Sequence, residues 1–116
     1  MTQYQPIIFT EVITNEGSAY NASTGEFTAP STGAYTFFYE FLVYPSGLIV
    51  LELQKENQTF AHSYAYGSDS HFKGASRSAI IDLVKGEKVK VVYFSGNGTL
   101  HGATYNKYTT FSGFKL

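Results

Sequence analysis

Asp69, Ser70 and His71 supply the three side-chain types of a nucleophilic triad: an acid, a hydroxyl and an imidazole. Three consecutive residues cannot converge as nucleophile, base and orienting acid, because each group must approach the reacting centre from its own direction. The segment therefore reads as a polar loop. His62, His71 and His101 are the three imidazoles, but their spacing fits no compact zinc motif and no thiolate or second carboxylate accompanies them. They read as surface histidines, and no metal site is expected. The carboxylates Glu11, Glu16, Glu26, Glu40, Glu52, Glu56, Asp69, Asp82 and Glu87 are dispersed and suggest no glycosidase-type pair. No residue is assigned a catalytic role, and the chain is read as a non-enzyme.

Glu40 stands out among these acids because it falls between apolar residues, where a buried carboxylate needs a partner. Lys90 or Arg77 could be that partner; the alternative is that Glu40 lies at a wet edge. Binding chemistry is better represented than catalysis. Tyr64, Tyr66, His71 and Lys73 in one segment, and Tyr105, Asn106, Lys107 and Tyr108 in another, combine aromatic faces with hydrogen-bond donors. That composition suits sugar stacking or anionic head groups, and it is also ordinary in a Tyr-rich protein. The glycan acceptor pattern Asn-x-Ser/Thr occurs at Asn21, Asn57 and Asn97, each in an expected turn or loop. It leans towards a secreted, extracellular protein, although so short a pattern also arises by chance.

These residues must be carried by a single domain, since 116 residues leave no room for two cores. With 43% apolar residues, Tyr 10, Phe 10 and only 15% charged, the chain can bury a substantial core. A net charge of -1 with scattered Lys and Arg gives no basic face, so nucleic acid is not expected as a partner. No run approaches the roughly 20 apolar residues that cross a bilayer, and Met1 to Gln5 lack the regions of a secretory signal. Cys 0 excludes disulfides and thiolate metal sites.

No helical periodicity persists for three turns. β-Branched and aromatic runs bounded by Gly, Pro, Asn and Ser recur at the spacing of sandwiches and barrels. The expected strands are Ile7 to Ile13, Ser18 to Tyr20, Glu26 to Ala29, Gly33 to Tyr44, Leu48 to Lys55, Thr59 to Tyr66, Ser76 to Val84, Lys88 to Phe94, Thr99 to Ala103 and Tyr108 to Leu116. Pro45-Ser46-Gly47, Lys85-Gly86-Glu87 and Asn97-Gly98 punctuate them as antiparallel reversals. The strand Gly33 to Tyr44 is apolar on both faces: Tyr35, Phe37, Tyr39, Phe41 and Val43 on one, Phe38, Leu42 and Tyr44 on the other. A two-layer sandwich buries one face per sheet, so the second face asks for a cover, which another subunit could supply. Leu48 to Leu53 and Val89 to Phe94 raise the same question more weakly. Cover from within the chain is the alternative.

Phe9, Asn15, Tyr20, Phe27, Gly33, Tyr35, Phe37 and Tyr39 stand at the spacings of a known signature. With Tyr20 to Phe27, Leu83 to Val89 and Thr110 to Leu116 they make the chain resemble the C1q domain family along its length. The resemblance implies a ten-stranded jelly-roll β-sandwich of the C1q/tumour necrosis factor type, assembled as a homotrimer. Phe38, Leu42 and Tyr44 are then the expected trimer interface. Within the signature, the alternating rings are read as packing, Gly33 as the residue that permits the turn into its strand, and Gly113 as a bulge or close backbone contact.

Many members of the family hold a calcium ion with acidic side chains at the two ends of one apical loop. Here those places align with Ala65 and Lys73, which offer no side-chain oxygen, so calcium is expected to be absent and no cofactor is implied. Asp69 lies within that loop and could supply only a weak substitute. The resemblance points to a trimer that recognises glycans, lipopolysaccharide-like surfaces or other polyanionic ligands, a role in innate immunity. A signalling or adhesion ligand for a protein receptor, or a structural trimerisation head on a stalk, are the alternatives.

Overall fold

Large apolar side chains at every second position commit this backbone to strands, since alternate residues share a face and can be buried together. A computed structural model describes residues 3–9, 19–43, 47–66, 73–96, 100–101 and 110–116, with 100–101 described as backbone. The strands are β1 (Tyr20–Asn21), β2 (Glu26–Thr28), β3 (Gly33–Val43), β4 (Leu48–Lys55), β5 (Gln58–Tyr66), β6 (Lys73–Leu83), β7 (Lys88–Gly96), β8 (Leu100–His101) and β9 (Thr110–Lys115). No helix occurs among the described residues.

The strands form two antiparallel sheets, an all-β sandwich. One sheet runs β1-β2-β7-β4-β5. In the other, β3 is central: it pairs with β6 along one edge and with β9 and then β8 along the other. The described part of the expected first strand, Ile7 to Ile13, is not a regular strand. Residues 7–9 are not in a strand; the chain before them runs along β7, with a Pro6 to Val92 bridge and the Ile7 amide donating to the Val91 carbonyl at 2.8 Å. Residues 10–13 lie outside the described residues. β6 starts at Lys73 and β7 runs to Gly96, both longer than expected, because each is held by a full-length antiparallel neighbour.

The core lies where Tyr35, Phe37, Tyr39, Phe41 and Val43 of β3 meet Ile49, Leu51 and Leu53 of β4 and Val89 and Val91 of β7, all fully buried. Burying each such side chain is worth about 1.5–3 kcal/mol. The rings are ordered further: Phe27 meets Phe37 edge-on at 5.2 Å, and Phe111 stacks on Phe37 at 5.8 Å and on Phe9 at 5.6 Å. Gly113 makes this possible, since a Cβ there would lie 2.6 Å from the Thr36 carbonyl oxygen and 2.7 Å from the Phe37 ring. Gly33 opens β3 opposite Leu83 without a positive φ, and a Cβ there would lie 2.5 Å from Lys115 Cε.

The turns follow local chemistry. β4 and β5 are joined by Glu56 and Asn57, with φ of 48° and 68°, the two left-handed residues that a tight hairpin requires. Glu56 is fastened there by a reciprocal pair: its amide donates to the Lys88 carbonyl at 3.1 Å and its carboxylate accepts from the Lys88 amide at 2.7 Å. At the β6–β7 turn Gly86 has φ +94°, and the Glu87 carboxylate accepts from the Val84 amide at 2.7 Å.

Candidate functional site

The sandwich presents two outer faces with different chemistry. On the β3 sheet the outward row opposite the core contains Phe38, Glu40 and Leu42. Register adds residues that sequence reasoning missed: Thr36 lies between Ile80 of β6 and Phe114 of β9, and Phe38 between Ser78 and Ser112. Ile80 is 67% exposed, Phe114 58% and Leu116 63%. Phe38 is also exposed and Leu42 half-buried; Tyr44 lies outside the described residues. The face is apolar around Ile80, Phe114 and Phe38, and polar above them. There Phe38, Tyr39, Glu40, Ser76, Arg77 and Ser78 line a depression of about 350 Å³. Glu40 is exposed on this slope, wet as the alternative has it but on a central strand, between Ser76 and Thr110. Lys90 belongs to the other sheet and donates to Asn57 at 2.9 Å.

The buried carboxylate is Glu52. It points outward from β4 yet is only 2% exposed, and its oxygens accept from His62 Nε2 at 2.6 Å, Thr59 Oγ1 at 2.9 Å and Gln54 Nε2 at 3.0 Å. His62 faces it across the β4–β5 ladder, and the imidazole also meets the Phe94 ring edge-on at 5.9 Å. Val92, in the same outward row, is fully buried as well. The second face of β4 and β7 is thus closed from within the chain around Glu52, Gln54 and Val92, in line with the alternative of cover from within. Beyond His62, the outward face of β5 carries Phe60, Tyr64 and Tyr66, all exposed.

The residues singled out for binding are dispersed. Tyr64 and Tyr66 stand on a strand, not a loop, and Lys73 opens β6 of the opposite sheet. His71, Tyr105, Asn106, Lys107 and Tyr108 lie outside the described residues, as does Asn97. Asn21 and Asn57 are both exposed; the Asn21 side-chain oxygen accepts from the Ser23 amide at 2.8 Å. Two phenols, the buried Tyr39 and the half-buried Tyr20, are perturbed. Burial pushes the Tyr39 hydroxyl up against a smaller opposing effect of the Ser63 hydroxyl, which donates to it at 2.9 Å. Burial likewise raises Tyr20, whose oxygen accepts from the Phe9 amide at 3.0 Å.

A family model for the C1q domain matches residues 1–116. The chain belongs to the C1q domain family. Its C1q domain is 32% identical over 115 residues to complement C1q tumor necrosis factor-related protein 3 of Mus musculus, covering 98% of this chain and 46% of that protein. It is also 32% identical over 113 residues to Caprin-2 of Danio rerio, covering 97% of this chain and 12% of that protein. The chain therefore spans less than half the length of either relative. Among solved structures, the globular domain of zebrafish complement 1qA superposes with a TM-score of 0.78 at 24% identity, over 99% of this chain and 86% of that one. Murine APRIL superposes with a TM-score of 0.70 at 18% identity, over 90% and 82% of the respective chains. Both likenesses are of fold, and they give this C1q domain the jelly-roll arrangement of its two sheets. Of the two positions expected to align with the family's calcium ligands, Ala65 is buried as a bare methyl and Lys73 presents an exposed ammonium. Neither side chain supplies oxygen, so these two side chains do not fit the ion.

Proposed function

We propose that this C1q domain is a secreted, non-enzymatic recognition head that works as a homotrimer, closed on the outer face of the β3 sheet and binding ligand elsewhere. The observation that carries the reading is the cross-strand row Ile80, Thr36 and Phe114, flanked by Phe38 and Leu116, which leaves large apolar side chains in water on a single chain. A contiguous apolar patch on one face of a soluble domain is the mark of an interface. Three copies turned about an axis bury that patch three times. Phe38, Leu42 and Tyr44 belong to this interface in the proposal, joined by Ile80 and Phe114.

Trimerisation raises weak single contacts to useful avidity, which suits recognition of repetitive surfaces such as glycans. The segments Tyr64 to Lys73 and Tyr105 to Tyr108 carry the ligand contacts in this reading, and glycans on Asn21, Asn57 or Asn97 accompany passage through a eukaryotic secretory route. Light scattering of the purified domain is expected to give three times the chain mass, and a glycan and lipopolysaccharide screen is expected to give hits. A stable monomer removes the trimer. An intact trimer that binds no carbohydrate but is captured by a cell-surface protein turns the reading into that of a receptor ligand.

A further inference from the structure

We propose that the trimer is keyed by an ion pair between subunits, the Glu40 carboxylate of one chain receiving the Arg77 guanidinium of the next. This rests on the reading of the β3 sheet as the trimer face and names the contact that fixes how the copies meet. Glu40 stands between Phe38 and Leu42 in the outward row of β3. Any surface that covers those two apolar side chains also takes the carboxylate out of water, where it needs a charged partner. Its own face has none to give. The cross-strand neighbours of Glu40 are Ser76 and Thr110, those of Phe38 are Ser78 and Ser112, and those of Thr36 are Ile80 and Phe114. Asp82, in the same row of β6 as Ser78 and Ile80, adds a second acid. Among the described residues this outward set holds no lysine or arginine, and Glu40 forms no ion pair.

The cations lie round the rim. β6 is the edge of its sheet, with β3 as its strand neighbour. Lys73 and Arg77 belong to the row of β6 that alternates with the outward serines, Arg77 standing opposite the inward Tyr39. Both are nonetheless exposed, because a long charged side chain at an open edge turns its head into water. Each copy thus shows an acidic face without cations and a cationic rim beside it. A closed ring of three joins two different surfaces of each copy, and these two are complementary in charge. The depression of about 350 Å³ selects Arg77 over Lys73. Glu40, Ser76 and Ser78 line it, so a planar guanidinium finds a carboxylate for its fork and hydroxyl oxygens for its remaining N–H groups. Arg77 of the same chain borders the depression too, but it leaves the sheet from the other face, and the two charges are not paired within the chain.

The test begins with charge reversal in the intact protein, read by light scattering. Glu40→Arg and Arg77→Glu, each alone, are expected to weaken assembly at least about 30-fold, as breaking one side of a buried pair does. Both residues are exposed on a single chain, so the far-ultraviolet circular dichroism is expected to match that of the parent. Glu40→Arg combined with Arg77→Glu is expected to restore the trimer. The chain has no cysteine of its own, so Glu40→Cys with Arg77→Cys reports the geometry directly: a short bismaleimide is expected to join chains into bands of two and three chain masses on a denaturing gel. Single reversals that assemble like the parent overturn the proposal. So does a double reversal that stays monomeric, or a reagent that closes loops only within one chain of an intact trimer. Those results leave the trimer standing, whereas a monomeric parent removes the trimer reading and the pair with it.

Discussion

Glu52 shows how a single residue can be misread when its strand is considered alone. From β4 it is one polar residue on an outward face; in the fold it is buried and saturated by His62, Thr59 and Gln54. Its removal strands the Gln54 amide, itself buried, and opens a gap beneath His62. Glu52→Ala is therefore expected to destabilise the fold by about 1–3 kcal/mol, the cost of leaving a buried polar group unpaired, read as a lower denaturation midpoint at unchanged slope. A midpoint equal to that of the parent protein would show that water replaces the carboxylate at no cost. Nothing in the local sequence marks Glu52 above Glu40, which alternates with Phe38 and Leu42 and yet is exposed. The difference arises across the strands, from a histidine opposite Glu52 and from serine and threonine opposite Glu40.

At the level of elements, β3 was the most legible part of the chain. Its period of two is written in large rings, and Tyr35, Phe37, Tyr39, Phe41 and Val43 are all buried as that period requires. The second apolar face was legible only through Phe38 and Leu42. On the outward side of β6 Ile80 stands between Ser78 and Asp82, and on that of β9 Phe114 follows Ser112; they become a patch only when β6 and β9 are set in register on either side of β3. The same strand carries a pH dependence. Tyr39 is raised by burial, and so is Tyr20 beside β2. A group whose folded pKa exceeds its unfolded value contributes stability in full below the unfolded value, near 10 for tyrosine, and loses it as pH rises towards the folded value. Stability is thus expected to fall on the alkaline side of about pH 10, and Tyr39→Phe to flatten that decline in urea melts taken from pH 8 to 11. An equally steep decline in the variant would assign the effect to other groups.

For the whole molecule, the two outer faces divide the work. One is aliphatic and aromatic around Ile80, Phe114 and Phe38, and in the trimer reading it is hidden; the other keeps its rings on β5 in water. Ile80→Lys places three ammonium groups close to the proposed axis and is expected to yield a folded monomer, with the far-ultraviolet circular dichroism of the parent and one third of its mass by light scattering. A trimer that survives this change moves the interface to another surface. The pairing of β3 has a further consequence. One edge of that central strand is completed by β6, but the other waits for β8 and β9, which follow β6 and β7 in the sequence. During synthesis β3 leaves the ribosome long before the strands that close it, with a row of unpaired amides and carbonyls beside its most apolar side chains. An edge in that condition pairs readily with a neighbouring nascent chain. The time taken to translate the residues between β3 and β9, with chaperones that guard the waiting strand, therefore bears on how much of this domain is recovered assembled and how much as aggregate.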